Sequence, residues 1–174
     1  VYCIPGRSSS SEHKGHLLMA ADKSTFDINE GHVYFSREAY NYTWEYIEQA
    51  DHRSSEEDMS MLHSAIASLW HWSHRDDVKP ANLAVGYWQV SRVFNLIQQP
   101  ANARTYGLLA LEYAKELDAF FKGYAYETLA RAEMLEGNRT NMKNYLEKAH
   151  AMVKLIKNEE DQQLLLRDLE TIKL

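Results

Sequence analysis

Apolar and small residues recur three and four positions apart along most of this chain, and the pattern is clearest between Tyr124 and Ala149. Ala125, Leu129 and Ala132 precede Gly137; Met142, Leu146, Ala149 and Val153 follow it. Such spacing gathers each set on one helix face, so the stretch predicts a helical hairpin. Gly137-Asn138 is its hinge. Glycine supplies the left-handed residue that ends one helix, and Asn138 can accept from the free N–H groups that begin the next.

The same spacing predicts helices on either side. A first runs from about Asn29 to Ala50, with Val33, Tyr40, Trp44 and Ile47 on one face. Ser54-Ser55-Glu56-Glu57 reads as a capping box. It opens a second helix whose stripe is Leu62, Ala65, Ile66 and Leu69, continuing to Trp72. Pro80 and Pro100 suit the first turns of a third and a fourth helix, where a missing N–H costs nothing. Leu83, Tyr87, Val90, Phe94 and Ile97 mark the third; Tyr106, Leu109, Ala110, Tyr113 and Leu117 mark the fourth. A fifth covers about Phe120 to Glu136 and a sixth about Arg139 to Lys157. Asn158 with Glu159, Glu160 and Asp161 forms an acidic start that suits a helix dipole, and Leu165, Leu169 and Ile172 of this seventh helix point inward. No run alternates as a strand would. The expected fold is all-α: three antiparallel hairpins and a C-terminal capping helix in one domain over residues 28–174.

Residues 1–27 read differently. Cys3-Ile4-Pro5-Gly6 and Ser8-Ser9-Ser10-Ser11 have turn and linker chemistry. Two readings stand: a flexible tail, or a non-native leader ahead of a start at Met19, with Lys14-Gly15 encoded where a bacterial ribosome-binding site would lie.

Composition narrows the function classes. With 45% hydrophobic and 25% charged residues among 174, the chain fits one domain with a good core. A formal charge of −6 lacks the footprint of a nucleic-acid or anionic-membrane binder. The single cysteine, Cys3, cannot close an internal disulfide, so a reducing cytoplasm is the expected compartment. No apolar run approaches the ~18 residues of a membrane span.

Laying the third helix over the fifth reveals a repeat. Tyr87, Val90 and Ser91 fall on Tyr126, Leu129 and Ala130 at an offset of 39 residues, and Ala103, Gly107 and Ala110 fall on Met142, Leu146 and Ala149. These small and aromatic positions resemble the tetratricopeptide pattern between about Ala81 and Lys157. The offset exceeds the usual ~34 residues, and Glu133 stands where the pattern has an aromatic. The chain is also similar to a group of uncharacterised bacterial tetratricopeptide-like proteins with His-x-Ala and His-Trp on the second helix, here His63, Ala65, His71 and Trp72. That resemblance implies the stacked fold and no particular activity.

The candidate chemistry is sparse. His63, His71 and Trp72 form a candidate polar cluster, in which His63 and His71 are expected to hydrogen-bond across the first hairpin. Those histidines are eight residues apart, about 12 Å of helix rise, and cannot share one metal ion. No metal and no cofactor is expected, and no Gly-rich phosphate loop is present. In a tetratricopeptide-like stack the first helix of each hairpin lines the concave surface. Residues next to Tyr87 and Tyr126 then face a groove: Trp88 and Glu127, with Arg92 and Arg131 one turn on. Trp88, Arg92, Tyr124, Glu127 and Arg131 are the candidate binding groove, with both arginines expected within reach of solvent. The competing reading of the same residues is an internal Arg92–Glu127 ion pair.

Two functions follow. The first is a non-enzymatic module that binds a protein or peptide in the groove. The second is a small-ligand or metal-assisted enzyme using His63, His71 and the groove polar residues. Homo-oligomerisation is left open by the sequence.

Overall fold

The computed structural model describes residues 26–49 and 52–173. The Cys3, Ser8 to Ser11 and Met19 readings lie outside the described residues. Seven α-helices and no strand occur among the described residues: α1 (Ile28–Glu48), α2 (Ser55–Ser73), α3 (Pro80–Leu96), α4 (Pro100–Ala114), α5 (Ala119–Leu135), α6 (Arg139–Val153) and α7 (Glu159–Glu170).

Local chemistry sets their ends. Ser54 Oγ accepts from Glu57 N–H at 3.2 Å while Glu57 Oε2 accepts from Ser54 N–H at 2.7 Å, the reciprocal bonds expected of a capping box. Asn138 and Asn158 cap α6 and α7 by accepting from Asn141 N–H (3.2 Å) and Asp161 N–H (2.9 Å). Gly137 ends α5 with φ of 73°, and Asn138 N–H donates back to Glu133 C=O at 2.9 Å. The end of α3 is built the same way with a costlier residue. Gln98 has φ of 60°, and Gln99 N–H donates to Phe94 C=O at 2.8 Å. Gln98 and Gly137 are themselves 39 residues apart, so the repeat extends to the helix terminators.

Neighbours in sequence pack as antiparallel pairs. His32 meets His71 and Ser36 meets Ser68 between α1 and α2. Ser91 bonds the Ala103 carbonyl between α3 and α4, and Tyr126 stacks on Tyr145 between α5 and α6. Alternation of direction makes α1, α3, α5 and α7 parallel. They form one layer; α2, α4 and α6 form the other. Small residues permit the close approaches. A Cβ on Gly107 would lie 2.9 Å from Leu129 Cδ2, and one on Gly123 would lie 2.4 Å from Leu165 Cδ2.

The core follows the expected stripes with exceptions. Val90, Leu129, Ala110, Met142, Leu165 and Leu169 are buried. Ile66 and Leu109, assigned to inward stripes, are 39% and 38% exposed. On α1 the fully buried positions are Ser36 and Thr43, whose hydroxyls bond the carbonyls of Val33 (3.0 Å) and Ala39 (2.7 Å) within the helix. Such self-satisfied small residues let α2 approach α1 closely, while the larger Tyr40 and Trp44 turn to the layer edge.

Polar contacts run across the first layer. Gln89 Nε2 donates to the Tyr40 carbonyl (3.1 Å), joining α3 to α1. Ser91, Asn95 and Thr128 form a buried cluster between α3 and α5, with Asn95 Nδ2 donating to the Thr128 carbonyl at 3.0 Å. Arg131 reaches from α5 to the end of α7.

A candidate binding groove on the parallel layer

Where α1 and α3 part, a cavity of about 290 Å³ opens on the first layer. All four parallel helices contribute to it: Tyr40 and Trp44 from α1, Val85 and Trp88 from α3, Phe120, Phe121 and Tyr124 from α5, and Leu164 and Asp168 from α7. A neighbouring cavity of about 400 Å³ shares Tyr40, Val85 and Phe121 and adds Arg37 and Trp72. Together they make a groove across α1 and α3.

Trp44 is tilted by 36° against Trp88, while Tyr124 meets Trp88 and Phe120 edge to face. Trp44 and Trp88 centroids are 6.0 Å apart, Trp88 and Tyr124 are 5.2 Å apart at 73°, and Phe120 and Tyr124 are 5.0 Å apart at 66°. Such tilted contacts fix the rings against one another. The Tyr124 hydroxyl donates to Asp168 Oδ2 at 2.9 Å. Burial, then the Asp168 charge, raises its pKa well above the ordinary phenol value, so it stays a donor.

Beneath the rings lies an ionic network. Glu127, 1% exposed, accepts from Trp88 Nε1–H at 3.3 Å and from Arg131 Nε–H. Arg131 Nη2 donates further to the Asp168 carbonyl (2.8 Å) and to Thr171 Oγ1 (2.7 Å). The expectation that Arg131 is reachable from solvent is therefore corrected: it is 7% exposed and bonded to Glu127, Asp168 and Thr171. The expected Arg92–Glu127 pair is replaced too. Glu127 lies one turn before Arg131 on α5, so the intrahelical partner takes the carboxylate. Arg92 is left half-buried, with no ion pair or hydrogen bond among the described residues. Burial lowers its pKa; Glu127 and Asp168 act in the opposite sense and Arg131 in the same one.

No protein-family model, curated protein or solved structure matches this chain.

Of the expected groove residues, Trp88 and Tyr124 line the cavity, Glu127 and Arg131 lie outside its lining and are joined to it through Trp88, and Arg92 lies one turn beyond Trp88 on α3. The His63, His71 and Trp72 cluster does not assemble. His71 Nδ1 meets Nδ1 of His32, not His63, at 2.9 Å, with His74 and Trp70 packed alongside. His63 is exposed near Glu38 and Tyr42. Trp72 lies under the Arg75 guanidinium at 3.9 Å and faces the groove's second cavity. A helix turns about 100° per residue, which sends positions 63, 71 and 72 to different surroundings. Among the described residues, no three His, Cys, Asp or Glu side chains are gathered to hold a metal ion.

Sequence reasoning missed Tyr40, Trp44, Phe120, Phe121, Leu164, Asp168 and Thr171. One signal was available for Asp168. It stands three residues after Leu165 and one before Leu169, both inward-facing, which puts its carboxylate beside the α5–α7 seam.

Proposed function

We propose that this chain is a non-enzymatic, tetratricopeptide-like interaction module that binds an extended protein segment in the groove of its parallel layer. One observation carries the reading: a single aromatic cavity draws on all four first-layer helices and continues into a second, as an elongated ligand requires. Two parallel-and-antiparallel layers and the 39-residue offset support the tetratricopeptide-like assignment. The fitting partner presents a carboxylate to Arg92, whose guanidinium is half-buried and free of any ion pair among the described residues. Its planar fork can bind that group bidentately. A cytoplasmic setting fits the single cysteine.

Peptide display on the intact protein, followed by titration of selected peptides, tests this. Enriched sequences should carry Asp or Glu. Arg92→Ala should weaken their binding by about 1–3 kcal/mol, the range for charged hydrogen bonds, while folding stability stays within about 1 kcal/mol of the parent. Failure to select any peptide, or binding indifferent to Arg92→Ala and to Trp88→Ala alike, would overturn the proposal.

A further inference from the structure

Two rings of the cavity have their polar atoms already engaged by carboxylates. Trp88 Nε1–H donates to Glu127 Oε2 at 3.3 Å, and Tyr124 O–H donates to Asp168 Oδ2 at 2.9 Å. A ring that donates to an anion gains electron density on its faces, so these walls are more negative than isolated indole and phenol. The steep angles between Trp88, Tyr124 and Phe120 make the walls surround a space instead of stacking flat. Asp168 is the one acidic or basic side chain in the lining. Arg131 is neutralised by Glu127, and Arg92 lies outside the lining. Electron-rich faces with one carboxylate are complementary to a cation.

We propose that this cavity receives a methylated ammonium group, carried on a lysine side chain of the bound segment. The inference rests on the segment-binding reading above and names what the segment inserts. Methylation follows from the hydrogen-bond count. An unmodified lysine brings three N–H donors, and in a lining that is otherwise apolar and aromatic Asp168, already accepting from Tyr124 on Oδ2, leaves at least one of them facing rings instead of an acceptor. A trimethylammonium brings none and presents a diffuse positive surface to the rings. A neutral side chain of the same shape would gain nothing from Asp168. The formal charge of −6 favours approach of the cationic group, while the segment's carboxylate goes to Arg92 outside the lining.

Calorimetric or tryptophan-fluorescence titration of the intact protein decides the matter, using capped single-residue amides as probes. Nε-trimethyllysine amide should bind about 3- to 30-fold more tightly than its neutral tert-butyl isostere and than unmodified lysine amide, the span of a partly desolvated cation–π site. Asp168→Asn, which still accepts from Tyr124, should reduce that preference and leave isostere binding unchanged; Trp44→Phe, at a different wall, should weaken the ammonium in the same way if the first variant does not fold. Equal binding of the isostere would overturn the cation assignment while leaving an apolar anchor for the segment. Binding of neither probe to folded protein would overturn the inference, and peptide display would still test the groove by itself. Choline binding far more tightly than trimethyllysine amide would overturn the lysine source.

Discussion

Trp88 and Glu127, which the 39-residue offset makes equivalent, hydrogen-bond to each other across α3 and α5 at 3.3 Å. Equivalent positions on two parallel helices thus serve as a donor and an acceptor. The acceptor is buried, so its charge must be balanced, and Arg131 does so from the next turn.

That balance separates the two arginines. Arg131→Met should destabilise the fold by about 3–5 kcal/mol, because it leaves the Glu127 carboxylate buried without a counter-charge. Arg92→Ala, which breaks no ion pair, should stay within about 1 kcal/mol of the parent. Urea denaturation of both variants measures the contrast. Arg131→Met combined with Glu127→Gln should recover part of the loss, since the buried charge is gone.

Glu133 is 1% exposed, and its charge is balanced from neighbouring helices. Arg104 Nε–H donates to its Oε1 at 2.6 Å from the neighbouring α4, and Asn141 Nδ2 lies 3.4 Å from its Oε2. Arg104→Ala should therefore cost about 3 kcal/mol, the low end for breaking a buried pair because Arg104 is itself partly exposed. Glu133→Phe is the informative companion. A loss in urea midpoint smaller than that of Arg104→Ala would show that the site accepts an aromatic ring.

Leu129 is fully buried and packs against Gly107. Truncation to Ala should cost about 2–5 kcal/mol through the cavity it opens. Gly107→Ala should also destabilise, by about 1–3 kcal/mol from overpacking, although alanine favours a helix. Its Cβ would sit 2.9 Å from Leu129 Cδ2 and 3.2 Å from Ser91 Oγ, which Ala103 and Thr128 hold in place. Chemical denaturation reads both.

Gln98 offers the opposite sign. Its left-handed backbone costs an L-residue about 1–2 kcal/mol that glycine avoids, as Gly137 does at the equivalent place. Gln98→Gly should raise the thermal midpoint, the gain being trimmed by glycine's larger unfolded-state entropy. A lower midpoint would mean that the Gln98 side chain contributes more than its backbone costs.

His71 makes stability depend on pH. Burial, then the charges of His32 and His74, pushes its pKa below the ordinary imidazole value. The folded chain therefore binds fewer protons than the unfolded chain between that lowered value and about pH 6.5. Stability should fall as pH drops from about 6.5 through the lowered value and then level off, because below it His71 carries its proton in both the folded and the unfolded chain. Urea midpoints at neutral and mildly acidic pH should differ more for the parent than for His71→Gln.

What the sequence determined by itself was local. The capping box at Ser54, the caps at Asn138 and Asn158, the left-handed Gly137 and the prolines opening α3 and α4 depend on bonds within a few residues, and so do the seven helices between them. The tetratricopeptide resemblance, with the offset of 39 residues, implied that Trp88, Glu127, Arg92 and Arg131 are neighbours on one layer. It could not choose their partners. Whether Glu127 takes Arg92 or Arg131 depends on rotamers and on the distance between helices, and helical spacing leaves both within reach. The tertiary structure decided that choice, turned His71 toward His32, and brought Asp168 and Thr171 to the groove from about 40 residues away. It also exposed Ile66 and buried Ser36, because how closely two helices approach is set by the side chains of both, and a pattern read along one helix contains only half of that information.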